Sequence, residues 1–296
     1  VPEDDQHVIY VWLDALTNYI SALNYPNLQG DLFKKFWPAS IHLIGKDILR
    51  FHAVYWPAFL LAAKLPLPKR IYGHGWILSD NEKMSKSKGN ILDPIEIINE
   101  YGLDPLRYYL IKEVSFGNDG NISQDRLEDC INSDLANNYG NLCQRVTAFA
   151  IKNCDSKIPK EIKFEKDDLK ILNKFTTNIE LIRNKIDKQD LNFYINFIVT
   201  SLFETNKYFN DQEPWKKKDN LIRLNTIVYT TLEIVRKLSF MLYPIIPDST
   251  LKALNIFGIK EKDIKFSTLS DHNYLKPSDK INKIDILFKK AEKKND

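Results

Sequence analysis

The hydrophobic pattern of this chain changes near residue 123, and that change limits the folds the chain can adopt. Before it, short continuous apolar runs alternate with segments whose apolar residues have helical spacing. After it, apolar residues recur every three or four residues over long stretches. Short apolar runs between helices are typical of parallel β-α units. Sustained three- and four-residue spacing is typical of amphipathic helices packed in a bundle. The sequence therefore predicts an α/β region followed by an all-α region.

The α/β region is predicted to contain three strands, at residues 8–12, 41–44 and 71–78, with helices at 14–23 and 45–61. In parallel β-α units, ligands bind beyond the carboxyl ends of the strands. Trp12, Gly45 and Trp76 lie at such ends. Three strands are too few for a closed doubly wound domain, so we expect that a preceding half of this domain is missing.

The all-α region is predicted to form a four-helix bundle. Its apolar repeats fall at residues 127–149, 172–186, 191–202 and 221–242. Pro244 and Pro247 end the fourth helix, because proline cannot continue a helical hydrogen-bond pattern. The predicted domains are residues 1–120, 121–265 and a C-terminal segment at 266–296.

Composition excludes several classes of protein. The net charge of +3 is small, so any nucleic-acid-binding surface must be local. Cys130, Cys143 and Cys154 lack C-x-x-C spacing, which indicates neither a disulfide framework nor a zinc site. The longest apolar run, near residues 53–63, is too short to span a membrane, and the acidic start is no signal peptide. We expect a cytoplasmic chain with no membrane partner and no metal site.

A basic stretch, KMSKS at residues 83–87, lies between the predicted strand at 71–78 and the helix that Asp93 and Pro94 introduce. Asp as N-cap and Pro at the first position are typical helix starts. Lysines between a strand and a helix start are suited to stabilise an anion that forms during a reaction, although they are also ordinary in solvated loops. A P-loop is excluded, because no G-x-x-x-x-G-K-[ST] occurs.

KMSKS is the second signature of class I aminoacyl-tRNA synthetases, and nearly the whole chain resembles the methionyl-tRNA synthetase family. The similarity rests on residues 10–15, 42–48, 51–52, 56–57, 74–76, 83–87, 141–145, 212–215, 280–283 and 287–288. The resemblance implies the C-terminal half of a Rossmann-like catalytic domain and a helical anticodon-binding bundle. It also implies that the closing segment packs back toward the catalytic domain.

The resemblance implies a set of ATP-binding residues. These are Gly45, Asp47, Gly75, Trp76, Lys83, Ser85 and Lys86. Among them, Lys83 and Lys86 are the implied catalytic residues, which neutralise pyrophosphate as it leaves ATP. Asp47, at a helix start, is equally suited to be only a cap.

The resemblance also implies a methionine pocket, formed by Trp12, Ala15, Tyr19, Ile48, His52 and Trp56. His52 and Trp56 are four residues apart and share one helix face. An aromatic box with a polar edge suits a polarisable thioether, although aromatic residues at helical spacing are also ordinary core. Leu16 stands where many relatives carry proline, which leaves the shape of the pocket open.

Three residues of the bundle match the family's anticodon-reading positions, which recognise CAU: Asn141, Arg145 and Trp215. Amide and guanidinium groups read base edges, and an indole offers a flat surface for stacking an unpaired base. Taken alone, such residues are also ordinary surface groups.

The segment His42-Leu43-Ile44-Gly45 resembles the other class I signature, HIGH, but it lacks the second histidine and lies only about forty residues before KMSKS. We therefore expect HIGH to be absent, together with the phosphate-binding histidines and the inserted domain where relatives carry zinc.

The resemblance implies a methionine–tRNA ligase that uses ATP and Mg²⁺, acts on L-methionine and tRNA, and is monomeric. We expect this fragment to be inactive alone. The alternatives are a synthetase for leucine, isoleucine, valine or cysteine, and a non-catalytic tRNA-binding module.

Overall fold

The computed structural model describes residues 2–79, 81–84 and 92–292. The chain divides into two compact units, one formed by Val1–Ile77 with Gly117–Gly120 and the other by Leu78–Phe116 with Asn121–Asp296. Residues 78–116 thus group with the helices that follow. The functional division at residues 120 and 265 stays a prediction.

The first unit is a small α/β structure. Its elements are α1 (Val11–Ser21), α2 (Asp31–Phe36), β1 (His42–Gly45), α3 (Trp56–Ala62) and β2 (Ile71–His74). The strands β1 and β2 pair in parallel, with His42 opposite Ile71. A 3₁₀ turn at Lys46–Ile48 and a π-helical segment at Phe51–Tyr55 connect β1 to α3. These elements confirm the predicted strand at 41–44 and the helical character of residues 45–61.

The predicted strand at residues 8–12 is wrong. Residues 8–10 have no regular structure, and the helix α1 begins at Val11. Val8 is 89% exposed and Ile9 is 60% exposed. A continuous apolar run forms a strand where neighbouring strands and helices cover it. Among the described residues no strand pairs with this run, and Trp12 instead packs through the helix.

The second unit begins with a short sheet and two helices. These elements are β3 (Ile77–Ser79), β4 (Glu82–Lys83), α4 (Pro94–Tyr101), α5 (Leu103–Glu113) and β5 (Gly120–Ile122). The order in the sheet is β4–β3–β5, and β3 pairs with β4 in antiparallel orientation. The predicted strand at 71–78 is therefore interrupted at Gly75 and Trp76. The predicted helix start is confirmed, because the Asp93 carboxylate accepts a 2.7 Å hydrogen bond from the Ile95 amide.

The predicted helical bundle is confirmed. Its helices are α6 (Gln124–Cys130), α7 (Asn141–Asn153), α8 (Lys166–Asp187), α9 (Leu191–Gln212), α10 (Leu221–Leu242) and α11 (Pro247–Leu254). A π-helical segment, Ile131–Gly140, joins α6 to α7 without a break. Cys130 and Cys143 are buried and Cys154 is half-buried, all as free thiols. Burial raises the pKa of each thiol.

The helix α10 is the centre of the bundle and packs against α7, α8, α9 and α11. It is buried on every side, including Glu233, Arg236 and Lys237. Arg236 donates to the Glu233 carboxylate at 2.5 Å, and Lys237 donates to the backbone carbonyls of Leu269 and Asp271. The segment after α11 therefore supplies the partners that this central helix needs for its buried charges.

The C-terminal segment lies on the bundle as far as it is described. The Ile281 amide donates to the Ser156 carbonyl at 2.8 Å. The Asn132 side chain exchanges two hydrogen bonds with the backbone of Ala291. The predicted packing of this segment toward the catalytic domain stays a prediction. Within the described part of the chain, no helix combines the length and apolar character needed to cross a membrane.

Candidate functional site

The first unit brings four of the predicted pocket residues together. The ring centroid of Trp12 lies 6.1 Å from that of His52, and Tyr19 lies 5.7 Å from His52 and 6.1 Å from Trp56. Trp12 also stacks on Phe51, with the rings 4.0 Å apart and nearly parallel. Helix α1, the π-helical segment and the start of α3 thus together form one aromatic cluster. Sequence spacing could not indicate Phe51, because it belongs to the π-helical segment.

This aromatic cluster has a defined polar edge. The His52 ring is 2% exposed, and its Nδ1 lies 3.0 Å from the Ile48 carbonyl oxygen, which can only accept. Nδ1 therefore carries a proton, and Nε2 shares a 2.9 Å hydrogen bond with the Tyr19 hydroxyl. Burial raises the pKa of Tyr19, so its hydroxyl stays protonated.

The remaining predicted pocket residues are nearby in sequence but contribute differently. Ala15 is exposed on α1 and Ile48 is half-buried; the Ile48 carbonyl fixes the His52 ring. Leu16 is 1% exposed and belongs to the core of the first unit. Leu16 therefore contributes packing behind the aromatic cluster.

The C-terminal end of β1 carries two of the predicted ATP-binding residues. The Asp47 side chain folds back over Gly45 so closely that a Cβ on Gly45 would lie 2.5 Å from the Asp47 Oδ1. The turn at Lys46–Ile48 has Gly45 at its N-cap position, and the Asp47 carboxylate is exposed. The alternative that Asp47 is only a cap stays a prediction. An exposed carboxylate above a glycine fits the hydroxyl groups of a ribose, which donate hydrogen bonds.

The segment 117–120 supports the other two predicted residues of the first unit, Gly75 and Trp76. A Cβ on Gly75 would lie 2.2 Å from the Asn118 backbone, so this close approach requires glycine. The Trp76 amide donates to the Asp119 carboxylate at 2.8 Å, and Lys46 donates to it at 2.6 Å. These two bonds lower the pKa of Asp119, with Lys46 the larger cause.

Sequence reasoning missed Asp119. The only signal was its position in a Gly-Asn-Asp-Gly turn, which does not indicate that Lys46 lies opposite. Asp119 joins the end of β1 to the segment at Gly75 and Trp76 through side-chain and backbone bonds.

The basic stretch belongs to the second unit. Lys83 ends β4 and is exposed, while Met84 is half-buried and packs against the core of the bundle. Leu92, on the other side of the stretch, packs against the same core. Ser85 and Lys86, both predicted site residues, lie outside the described residues.

A second cluster lies on the bundle, where the end of α9 meets α7. The Arg145 guanidinium donates to the Asn210 side-chain oxygen at 2.6 Å and stacks over the Phe209 ring at 5.6 Å. The Trp215 ring lies 6.2 Å from the same Phe209 ring, edge to face. Arg145 and Trp215 are therefore neighbours on one surface. Asn141 begins α7, one turn before Arg145 on the same face.

A buried ion pair fixes the backbone that carries Trp215. Arg223 at the start of α10 donates two hydrogen bonds to Asp168 of α8, at 2.6 and 3.0 Å. Tyr208 donates to the same carboxylate, and Gln212 accepts from Arg223 at 2.5 Å. Burial alone would lower the pKa of Arg223, but the bonds to Asp168 raise it. The end of α9 and the start of α10, which flank Trp215, are thus held together.

Comparisons with known proteins identify the family of this chain. Residues 1–147 match the family described as "tRNA synthetases class I (M)". The chain is 46% identical over 268 residues to methionine–tRNA ligase of Brucella suis and 44% identical over 299 residues to that of Rickettsia felis. The chain belongs to the methionyl-tRNA synthetase family.

A solved methionyl-tRNA synthetase shares the fold. The structure of the Mycobacterium tuberculosis methionyl-tRNA synthetase in complex with methionyl-adenylate superposes with a TM-score of 0.91 at 39% identity. The match covers 97% of this chain and 57% of that one. It confirms the predicted fold class, a class I synthetase α/β region followed by helices.

The chain spans about half the length of the curated methionyl-tRNA synthetases it matches. It covers 52% of the Brucella suis protein and 58% of the Rickettsia felis protein.

Proposed function

We propose that this chain is the part of a methionine–tRNA ligase that supplies the methionine pocket, part of the ATP site and the anticodon-binding surface. The observation that carries the proposal is the aromatic cluster of Trp12, Tyr19, His52 and Trp56, whose polar edge is a single hydroxyl–imidazole hydrogen bond. Thioether sulfur atoms make favourable contacts with aromatic rings and need no strong hydrogen bond. An apolar box that offers little beyond aromatic surface therefore favours methionine.

The proposed reaction has two steps. The methionine carboxylate attacks the α-phosphate of ATP to form methionyl-adenylate and pyrophosphate, and methionine is then transferred to the 3′ end of its tRNA. Gly45 and Asp47 are assigned to the ribose, Gly75 and Trp76 to the nucleotide, and Lys83, Ser85 and Lys86 to the departing pyrophosphate. Positive charge placed where negative charge develops lowers the barrier of the chemical step.

Magnesium is proposed to enter with ATP. Among the described residues, no group of three or more His, Cys, Asp or Glu side chains is placed to hold a metal ion. Mg²⁺ is commonly bound through substrate phosphates with only one or two carboxylates.

The second partner is a tRNA with the anticodon CAU. Arg145 and Trp215 are assigned to its unpaired bases because they share one surface and combine a guanidinium with a 41% exposed indole. Asn141 is assigned to the same surface. We propose that the protein is a monomer.

The test is amino-acid-dependent ATP–pyrophosphate exchange by the intact gene product that carries this sequence. Methionine should support exchange, whereas leucine, isoleucine, valine and cysteine should not. Exchange with one of those four in place of methionine would assign the chain to another class I synthetase. Binding of tRNA without exchange for any amino acid would identify a non-catalytic tRNA-binding module.

A pair of variants tests whether the aromatic cluster binds methionine. Trp12→Ala should raise the KM for methionine by about tenfold or more while leaving the KM for ATP unchanged, because it removes one aromatic wall. Val54→Ala is the matched control, since Val54 lies on the π-helical segment beside His52 and is 55% exposed. An unchanged KM in Trp12→Ala would move the amino-acid site elsewhere.

A further inference from the structure

We propose that His42, in its neutral form, is a positioning residue that holds the Trp56 indole and thereby sets the shape of the methionine pocket. The proposal rests on the function proposed above, because it concerns the pocket of the first unit. In the sequence, His42 was noticed only as part of the segment 42–48, whose first residues resemble HIGH. The structure gives it a different role.

The His42 ring lies in the layer behind the aromatic cluster. It is 6% exposed at the start of β1, where its amide donates to the Arg70 carbonyl at 2.9 Å. Its ring centroid lies 4.2 Å from Tyr19, 6.2 Å from Trp37 and 6.3 Å from His52. His42 thus contacts residues on both sides of the pocket wall without being assigned to methionine itself.

One hydrogen bond gives His42 a specific task. The Trp56 indole nitrogen, which can only donate, lies 3.4 Å from the His42 Nε2. Trp56 is 2% exposed, so no solvent replaces a lost partner. A buried N–H group without an acceptor is costly, and the indole would shift to find one. Trp56 lies 6.1 Å from Tyr19, so such a shift changes the pocket wall.

This bond requires a neutral His42. Nε2 accepts only when it carries no proton, and a protonated ring would present N–H against N–H. The titratable groups that face His42 are Tyr19 from α1 and His52 from the segment before α3; Trp37 and Trp56 do not titrate, and Ile71 lies opposite on β2. Burial lowers the pKa of His42, and a positive charge on His52 would lower it further. No carboxylate is among these neighbours to favour the charged form.

Two substitutions separate this role from packing. His42→Leu keeps the approximate volume and removes the acceptor, whereas His42→Gln places an amide oxygen near the position of Nε2. In the intact gene product, His42→Leu should raise the KM for methionine in ATP–pyrophosphate exchange about tenfold. The kcat and the KM for ATP should stay near wild type, and His42→Gln should restore most of the methionine KM.

The pH profile supplies a second readout. In the wild type, the KM for methionine should rise at acidic pH, because protonation of His42 removes the acceptor. In His42→Gln this rise should be smaller. A role in packing alone would leave the two profiles parallel, which would overturn the proposal.

A double-mutant cycle keeps the test decisive if His42→Leu folds poorly. Trp56→Phe removes the indole donor, so in that background His42→Gln and wild-type His42 should give the same KM for methionine at acidic as well as neutral pH. Unequal values would overturn the proposal, as would a loss of kcat and both KM values together in His42→Leu. Failure of the proposed function would look different, since the wild type itself would then show no methionine-dependent exchange.

Discussion

Arg145 of α7 and Trp215, which follows α9, both contact the ring of Phe209. The guanidinium lies 5.6 Å from the ring centre and the indole 6.2 Å from it. Two helices separate Arg145 from Trp215 along the chain. Because Phe209 is 2% exposed, it serves as a fixed support on which a hydrogen-bonding group and a stacking group are presented together.

Loss of either presented group is expected to weaken tRNA binding. Trp215→Ala should cost about 1–3 kcal/mol of tRNA affinity through the lost stacking platform. Arg145→Ala should cost about 1–3 kcal/mol and relax discrimination between anticodons. The measurement is aminoacylation of tRNAs with CAU and altered anticodons, alongside ATP–pyrophosphate exchange, which should not change. Phe203→Ala, a 69% exposed aromatic on the same helix α9, is the control. A collapse of exchange in either variant would reassign these residues to folding.

Phe209 is expected to couple the two groups. Replacing it with leucine keeps most of the buried volume but removes the ring face that Arg145 and Trp215 share. The coupling energy between Arg145→Ala and Trp215→Ala, about 0.5–3 kcal/mol for contacting networks, should therefore shrink in the Phe209→Leu background. Equal coupling in both backgrounds would show that the ring is only core.

The basic stretch is expected to act on the chemical step. Lys83→Ala or Lys86→Ala should lower the single-turnover rate of adenylate formation by about 10–1,000-fold, the order expected for one preorganised charge-stabilising group. The affinity for methionine, measured by equilibrium binding, should barely change. Lys188→Ala, an exposed lysine after α8, controls for a general loss of positive charge. Unchanged rates in both lysine variants would contradict a catalytic role for the basic stretch.

Removing only one partner of the Asp168–Arg223 pair is expected to lower the free energy of unfolding strongly. Asp168 is fully buried and Arg223 is 8% exposed, so removing one partner leaves a buried charge without compensation. Arg223→Met should lower the free energy of unfolding by about 3–5 kcal/mol, and Asp168→Leu with Arg223→Met should cost less than the single change. Urea denaturation measures both values. A double variant that is less stable than the single one would contradict this prediction, and it would show that the bonds from Tyr208 and the Glu165 amide to Asp168 outweigh the uncompensated charge.

Lys237 is expected to give the unfolding free energy a specific pH dependence. Burial, and then the charge of Arg236, lower the pKa of Lys237 from 10.5 to about 7. Between these two pH values the unfolded chain holds the proton that the folded chain has released, so the contribution of this lysine to stability rises with pH. A lysine paired with a carboxylate behaves in the opposite way, because its pKa is raised in the fold and its contribution to stability falls as pH rises.

The comparison with Lys237→Met isolates this effect from other titrating groups. The stability of the wild type relative to Lys237→Met should increase between pH 7 and 9 by on the order of 1 kcal/mol or more. Lys188→Met should show no such change. A difference between wild type and Lys237→Met that is constant with pH would mean that Lys237 stays charged in the fold. His272, whose pKa burial lowers, titrates below this window.

The sequence by itself determined the features that depend on local chemistry. The spacing of apolar residues predicted the helices that became α7 to α10, because amphipathic periodicity reports directly which face a helix buries. Asp93 and Pro94 predicted the start of α4, since a helix N-terminus needs an acceptor for its free amides. The KMSKS stretch and the aromatic pattern around His52 indicated the family, because five specific residues in one order rarely occur by chance.

Tertiary structure decided what depends on contacts distant in sequence. Residues 8–10 read as part of a strand by composition, but a strand exists only beside another strand, and α1 begins at Val11 instead. Nothing local distinguished Phe209 from the other aromatic residues of α9, or Asp119 from an ordinary turn residue. The charges of α10 show the same limit most clearly. The periodicity of α10 predicted that only one face of this helix is apolar and buried. In the structure Lys237 is buried as well, because other helices and the segment after α11 cover α10. That segment supplies the backbone carbonyls that accept hydrogen bonds from Lys237.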